Sequence, residues 1–154
     1  MFCTCHDTPA GRLLLTSDGT SVTGLGWGDM PEGGPHNCAL LDELRRELDA
    51  YFARKRTRFD LPVCTDNCTP FVRTVLQTLQ SVPCGAWVTY GELARMAGYP
   101  GAARAVGGAV HRNPVAILIP CHRVLASGGH IGGFAPGTDI KKILLDLEGI
   151  PYRE

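Results

Sequence analysis

Residues 89–113 restrict the fold of this chain more than any other stretch. In "VTYGELARM", Thr89 and Glu92 stand three apart, the spacing of a capping box that opens a helix. Gly98 and Pro100 end that helix. A second short helix is predicted from about 101 to 111, and it must stop before Asn113-Pro114. Two short helices joined by a tight glycine-containing turn make a helix-turn-helix pattern. An ordinary αα-hairpin fits the same pattern, so the spacing alone does not assign nucleic-acid binding.

The second helix, "GAARAVGGAVHR", is unusual in composition. It carries Ala102, Ala103, Ala105, Gly107, Gly108 and Ala109, with Arg104 as its main long side chain. Paired glycines weaken a helix by roughly 1 kcal/mol each relative to alanine. They are tolerated where something approaches the helix closely, either a sugar-phosphate backbone or the protein's own core. Readers of the major groove offer several long polar side chains. Small residues with one long cation suit a narrow groove better, the cation serving as a wedge.

Around this element the chain reads as two lobes. "GRLLLTSDGTSVTGLGW" (11–27) predicts a β-hairpin with its turn at Ser17-Asp18-Gly19. A helix is predicted over roughly 38–55, capped by Asn37, with Leu41, Leu44, Leu48, Tyr51 and Phe52 on one face. "DLPVCTDNCTP" (60–70) reads as a connector. Thr69 then caps, and Pro70 opens, an amphipathic helix carrying Phe71, Val72, Val75, Leu76 and Leu79. "VAILI" predicts a short buried extended segment. "TDIKKILLDLEG" predicts a last helix with Ile140, Ile143, Leu144 and Leu147 inward and Gly149 closing it. The expected division is an N-terminal lobe of residues 1–66 and a C-terminal lobe of residues 67–154.

"ILIPCHRV" raises the question of chemistry. A cysteine attacks as its thiolate and needs a base or cations nearby to do so near neutral pH. Cys121 has His122 and Arg123 beside it. Adjacent residues do not face one another in a strand or helix, so His122 would act on Cys121 through a bent turn or a bridging water. Asp146 and Glu148 are the carboxylates that could orient the imidazole. Two other readings stay open on these residues alone: a buried inert thiol, and metal ligation, for which no second Cys/His pair has suitable spacing.

"IPCHRV" (119–124) resembles the active-site signature of the O6-alkylguanine-DNA alkyltransferases, the methylated-DNA–protein-cysteine methyltransferases. The resemblance extends over "TPFVRTVLQTLQSVPCGAWVTYGELARMAGYPGAARAVGGAVHRNPVAILIPCHRVLASGGHIGGF" and "KKILLDLEGI", nearly all of 69–150. "TPAGRLLLTSDGTSVTGLGW" looks like the family's first hairpin. It implies a small α/β N-terminal lobe with a short antiparallel, ribonuclease-H-like sheet, followed by a mainly α, winged-helix-like DNA-binding lobe. It implies a monomer that binds duplex DNA containing O6-alkylguanine and flips the base out. No cofactor and no catalytic metal are called for.

By motif position, Cys121 would accept the alkyl group, and His122 would deprotonate it through a water with Glu148 holding the imidazole. Asn113 would brace the active-site turn, and Tyr90 would hydrogen-bond the flipped guanine. Arg104 would fill the gap in the base stack, with Ala103 and Gly107 permitting close approach of the DNA. Phe134 would wall the pocket, where relatives often carry an aromatic hydroxyl. Arg123 is expected to pack or pair inside the fold. Alkyltransferase-like binding proteins carry tryptophan at the acceptor position, and this chain has Cys121 instead. A thiol- or metal-responsive regulator would give Asn113, Tyr90 and Glu148 no role.

The bulk numbers exclude little. There are 15 basic and 15 acidic side chains; residues 69–154 carry a small positive excess. The odd number of cysteines, seven, argues against a fully paired disulfide framework. Cys3, Cys5, His6, His36, Cys38, Cys64 and Cys68 do not match a familiar zinc spacing and are expected to be free. No apolar run approaches a membrane span, and the N-terminus lacks a signal-peptide layout. An intracellular, cytoplasmic protein with access to the chromosome is expected.

Overall fold

A computed structural model describes all 154 residues. The chain forms two compact units. One comprises Met1–Thr65 together with Pro114–Leu118, and the other Asp66–Asn113 together with Ile119–Glu154.

The first unit is built on an antiparallel sheet in the order β1 (Phe2–Thr8), β2 (Gly11–Ser17), β3 (Val22–Trp27). The hairpin expected over 11–27 is β2–β3. Strand β1 was not anticipated: its alternating Thr and Cys residues carry little hydrophobic signal, and pairing with β2 supplies what local pattern does not. Leu13 and Leu15 point inward from β2 and meet Leu41, Leu44, Leu48 and Tyr51 of helix α1 (Ala39–Phe52). The cap of α1 differs from expectation. Cys38 holds the N-cap position without a side-chain bond, and Asn37 instead donates to the Asp42 carboxylate at 2.6 Å.

Strand β3 also receives the distant segment 114–118. Leu25 N–H donates to Pro114 O and Ala116 N–H donates back to Leu25 O, both at 2.9 Å. Gly24 is required there, since a Cβ would lie 2.4 Å from Thr16 Oγ1. Within this segment Ile117 is 2% exposed and has φ +72°, a left-handed conformation that a β-branched residue adopts only under constraint.

In the second unit, helix α2 (Pro70–Leu79) begins as expected, with Thr69 Oγ1 accepting from Val72 N–H. A two-residue strand β4 (Val88–Thr89) leads into α3 (Tyr90–Met96), opened by the reciprocal Thr89–Glu92 capping box. Helix α4 (Ala103–His111) completes a three-helix packing with α2 and α3. After a 3₁₀ turn at Cys121–Arg123, strand β5 (Val124–Leu125) pairs in parallel with β4.

Helix α5 (Thr138–Glu148) buries Lys141, Leu144 and Leu145. This corrects the expected inner face: Ile143 is 39% exposed, and a lysine lies inside. Leu125, Leu145 and Ile150 form a cluster against which Trp87, Ile131 and Tyr152 pack. No helix is long and apolar enough to cross a membrane.

Candidate active site

Pro120 cannot donate a backbone hydrogen bond, and the chain after it folds into a single 3₁₀ turn. Cys121, His122 and Arg123 are therefore all buried, on side chains that diverge from one tight turn.

His122 is fully buried, and its Nε2 lies 2.6 Å from Oε2 of Glu148. A carboxylate only accepts, so Nε2 carries the hydrogen and donates it. Nδ1 then bears the lone pair. It is buried and makes no hydrogen bond to any other group of the protein. Burial lowers the affinity of this imidazole for a proton, against the opposing pull of Glu148. His122 is thereby a neutral base with one available atom.

Glu148 ends α5 and has its side chain almost fully enclosed. Burial works against its ionisation, but the bonds from His122 and Arg123 prevail and hold the carboxyl well below its ordinary range. Arg123 Nε donates to Oε1 at 2.7 Å and Nη2 to Oε2 at 3.0 Å. Gly85 N–H reaches Oε1 at 3.4 Å, from a backbone with φ +86°. Of the two carboxylates expected to orient His122, Glu148 does so, whereas Asp146 faces Tyr152.

Burial pushes the Cys121 thiol up. Hydrogen bonding by the Asn113 side chain, the charge of Lys141 and the backbone N–H groups of Cys121 and His122 oppose that rise. These donors favour the thiolate once its proton has gone. Asn113 also donates from Nδ2 to Ile119 O at 2.8 Å.

Tyr90 is the first residue of α3, half-buried, and its hydroxyl is pushed up by burial and by the neighbouring Cys121 charge. Gly107 of α4 faces the Tyr90 ring: a Cβ there would lie 3.7 Å from Cδ1. At this position, then, a small residue lets two helices of the protein itself approach. Ala103, at the start of α4, is partly exposed, and Arg104 is exposed without an ion pair. Phe134 is half-buried in the glycine-rich loop before α5.

Arg123 pairs inside the fold as expected, and its partner is Glu148, the carboxylate that orients His122. One residue of the site escaped sequence reasoning. Lys141 is fully enclosed, with Nζ donating to Val124 O at 2.8 Å, Ile131 O at 2.6 Å and Gly133 O at 3.2 Å. Burial pushes its ammonium down to about 8. The signal was in the spacing: residues 141, 144, 145 and 148 share one helical face. No group of three or more His, Cys, Asp or Glu side chains is arranged to hold a metal ion, and all seven cysteines are unpaired.

Two family models match this chain in order. The 6-O-methylguanine DNA methyltransferase ribonuclease-like domain matches residues 1–65, and the DNA binding domain of the same name matches residues 70–150. A methylated-DNA–protein-cysteine methyltransferase of Methanosarcina acetivorans is 39% identical, over 97% of this chain and 99% of its own length. One from Mycobacterium leprae is 40% identical, over 95% and 91%. The crystal structure of Mycobacterium tuberculosis OGT in complex with DNA superposes with a TM-score of 0.86 at 36% identity, covering 94% of this chain and 90% of that one.

Proposed function

The chain belongs to the 6-O-methylguanine DNA methyltransferase family, and on that premise we propose that it repairs duplex DNA by moving the alkyl group of O6-alkylguanine onto its own Cys121. The observation that carries this reading is the buried His122–Glu148 pair next to Cys121 in sequence, with Nδ1 left unbonded.

The Cys121 proton passes to His122 Nδ1 through a water. Nε2–H stays on the imidazole, and Glu148 offsets the positive charge that forms. The thiolate attacks the alkyl carbon. The S–C bond forms as the C–O6 bond breaks, and the electron pair leaves on guanine, whose O6 becomes a carbonyl oxygen. The Tyr90 hydroxyl hydrogen-bonds the departing base. A thioether is not hydrolysed under mild conditions, so each protein molecule reacts once and needs no cofactor.

Helices α3 and α4 bring this chemistry to DNA. Arg104, exposed and unpaired, enters the base stack in place of the flipped guanine, and Ala103 lies against the backbone. Gly107 acts indirectly, by letting Tyr90 sit close to α4. Phe134 supplies an apolar wall without a hydroxyl, so backbone N–H groups serve the O6 atom. The protein acts as a monomer inside the cell, where it reaches the chromosome.

The test is transfer of a labelled methyl group from O6-methylguanine in duplex DNA to protein, comparing wild type with Cys121→Ser. Label on wild type alone, reaching a plateau set by the amount of protein, supports the reading. Equal labelling of Cys121→Ser, or continued turnover, contradicts it.

A further inference from the structure

Arg123 is as buried as the residues that carry out the transfer. Its planar guanidinium makes three bonds at once: Nε and Nη2 to the two oxygens of Glu148, and Nη1 to Val82 O at 2.7 Å. Val82 lies just beyond α2, where its N–H donates to Leu79 O. The fork therefore fixes the plane of the carboxylate against a backbone carbonyl, and His122 Nε2 meets one edge of that plane at 2.6 Å.

The surrounding charges define what this does. The His122–Glu148 pair is faced by Arg123 from the 3₁₀ turn, by Lys141 from α5, and by Cys84 from the segment after α2. Arg123 bonds both carboxylate oxygens. A second proton on the pair, whether on Nδ1 or on the carboxylate, would add charge beside a guanidinium or break its bonds. Either event would remove the base.

We propose that Arg123 is a positioning residue for alkyl transfer: by gripping Glu148 it keeps the His122–Glu148 pair free of a second proton and leaves the imidazole lone pair on Nδ1. This rests on the reading of Cys121 as alkyl acceptor. Arg123 touches neither DNA base nor alkyl group; it acts through Glu148 and then His122.

The experiment measures single-turnover methyl transfer from O6-methylguanine duplex at saturating DNA between pH 5 and 9. Wild type, Arg123→Gln and Arg123→Lys are compared, with DNA affinity and thermal midpoint determined for each. In Arg123→Gln the acid limb of the rate profile moves up by about one pH unit or more, while DNA affinity stays within about two-fold of wild type. In Arg123→Lys the charge is kept and the fork is lost, so the limb stays near wild type and the maximal rate falls about ten-fold. An unmoved limb in Arg123→Gln, with only a lower thermal midpoint, overturns the proposal in favour of a packing role.

Should Arg123→Gln fail to fold, Arg123→Lys carries the test, and a maximal rate equal to wild type overturns the orienting role. The wild-type 15N resonances of His122 at pH 7 give a further check: a hydrogen on Nε2 is expected, and one on Nδ1 contradicts the proposal. Absence of transfer by wild type itself would instead overturn the reading of Cys121, which separates the two failures.

Discussion

The Asn113 side-chain amide donates to the Ile119 carbonyl at 2.8 Å, closing the neck of the five residues, Pro114–Leu118, that the chain adds to its first unit. The same side chain opposes the upward push that burial gives the Cys121 thiol. One amide thus serves both the return of the chain and the ionisation of the nucleophile. Asn113→Ala leaves a carbonyl and a thiolate short of a donor. It is expected to lower stability by about 1–3 kcal/mol and to slow methyl transfer by roughly ten-fold or more. Urea unfolding and a single-turnover rate measure the two effects, and a wild-type rate in the variant would remove Asn113 from the site.

Acid should weaken the fold in two stages. The folded state keeps His122 neutral, whereas an unfolded imidazole takes a proton near pH 6.5. Protons therefore favour the unfolded chain below that pH. Glu148 is held below its ordinary range, so its contribution is present above about pH 4.5 and is lost as pH falls further. Unfolding free energy measured at pH 7.5, 5.5 and 4 should fall at each step. Glu148→Gln should flatten the lower part of the profile, and an unchanged slope in that variant would contradict the assignment.

Lys141 works in the same direction, in an alkaline window. Burial pushes its ammonium from an ordinary 10.5 down to about 8, so the folded chain releases this proton before the unfolded chain does. Its contribution to stability therefore rises with pH between about 8 and 10.5. Wild type should gain stability relative to Lys141→Met as pH goes from 7.5 to 9.5, with both proteins carrying Cys121→Ser so that the coupled thiol does not contribute. Because three carbonyls of the segment 124–133 lose their donor, Lys141→Met with Cys121 intact should also transfer methyl roughly ten-fold more slowly. A pH-independent stability difference would show that Lys141 is not held as a buried titrating cation.

Helix α1 ends in a Schellman motif with an arginine where glycine is usual. Lys55 N–H bonds Ala50 O at 2.8 Å and Arg54 N–H bonds Tyr51 O at 3.0 Å, with Arg54 at φ +60°. Arg54→Gly should stabilise the fold by about 1 kcal/mol, visible as a higher urea midpoint with methyl transfer unchanged. A lower midpoint would mean that the arginine side chain contributes more than its backbone conformation costs.

Elements marked by local chemistry were legible in the sequence. The capping box at Thr89–Glu92, the Thr69-Pro70 helix start and the β2–β3 hairpin each depend on residues only a few positions apart. So does the conjunction of Cys121 with His122. Strand β1 was not legible, because its evidence is the pairing with β2 rather than its own pattern. The inward turn of Lys141 and the outward turn of Ile143 escaped because hydrophobicity ranks them the other way, and three backbone carbonyls reverse the order. Arg123 was visible as a residue, but its grip on Glu148 depends on a 3₁₀ turn meeting the end of α5, 25 positions later. The strained Ile117 was hidden for a like reason: it follows Ala116, whose bond to Leu25 joins residues far apart in sequence.

The most direct measurement is the intact mass of the protein after incubation with duplex DNA containing a single O6-methylguanine, followed by peptide mapping. A gain of one methyl in place of one hydrogen is expected, saturating at one per protein and located on Cys121. No gain in mass despite tight binding to that DNA, or a methyl group on any other residue, would contradict it.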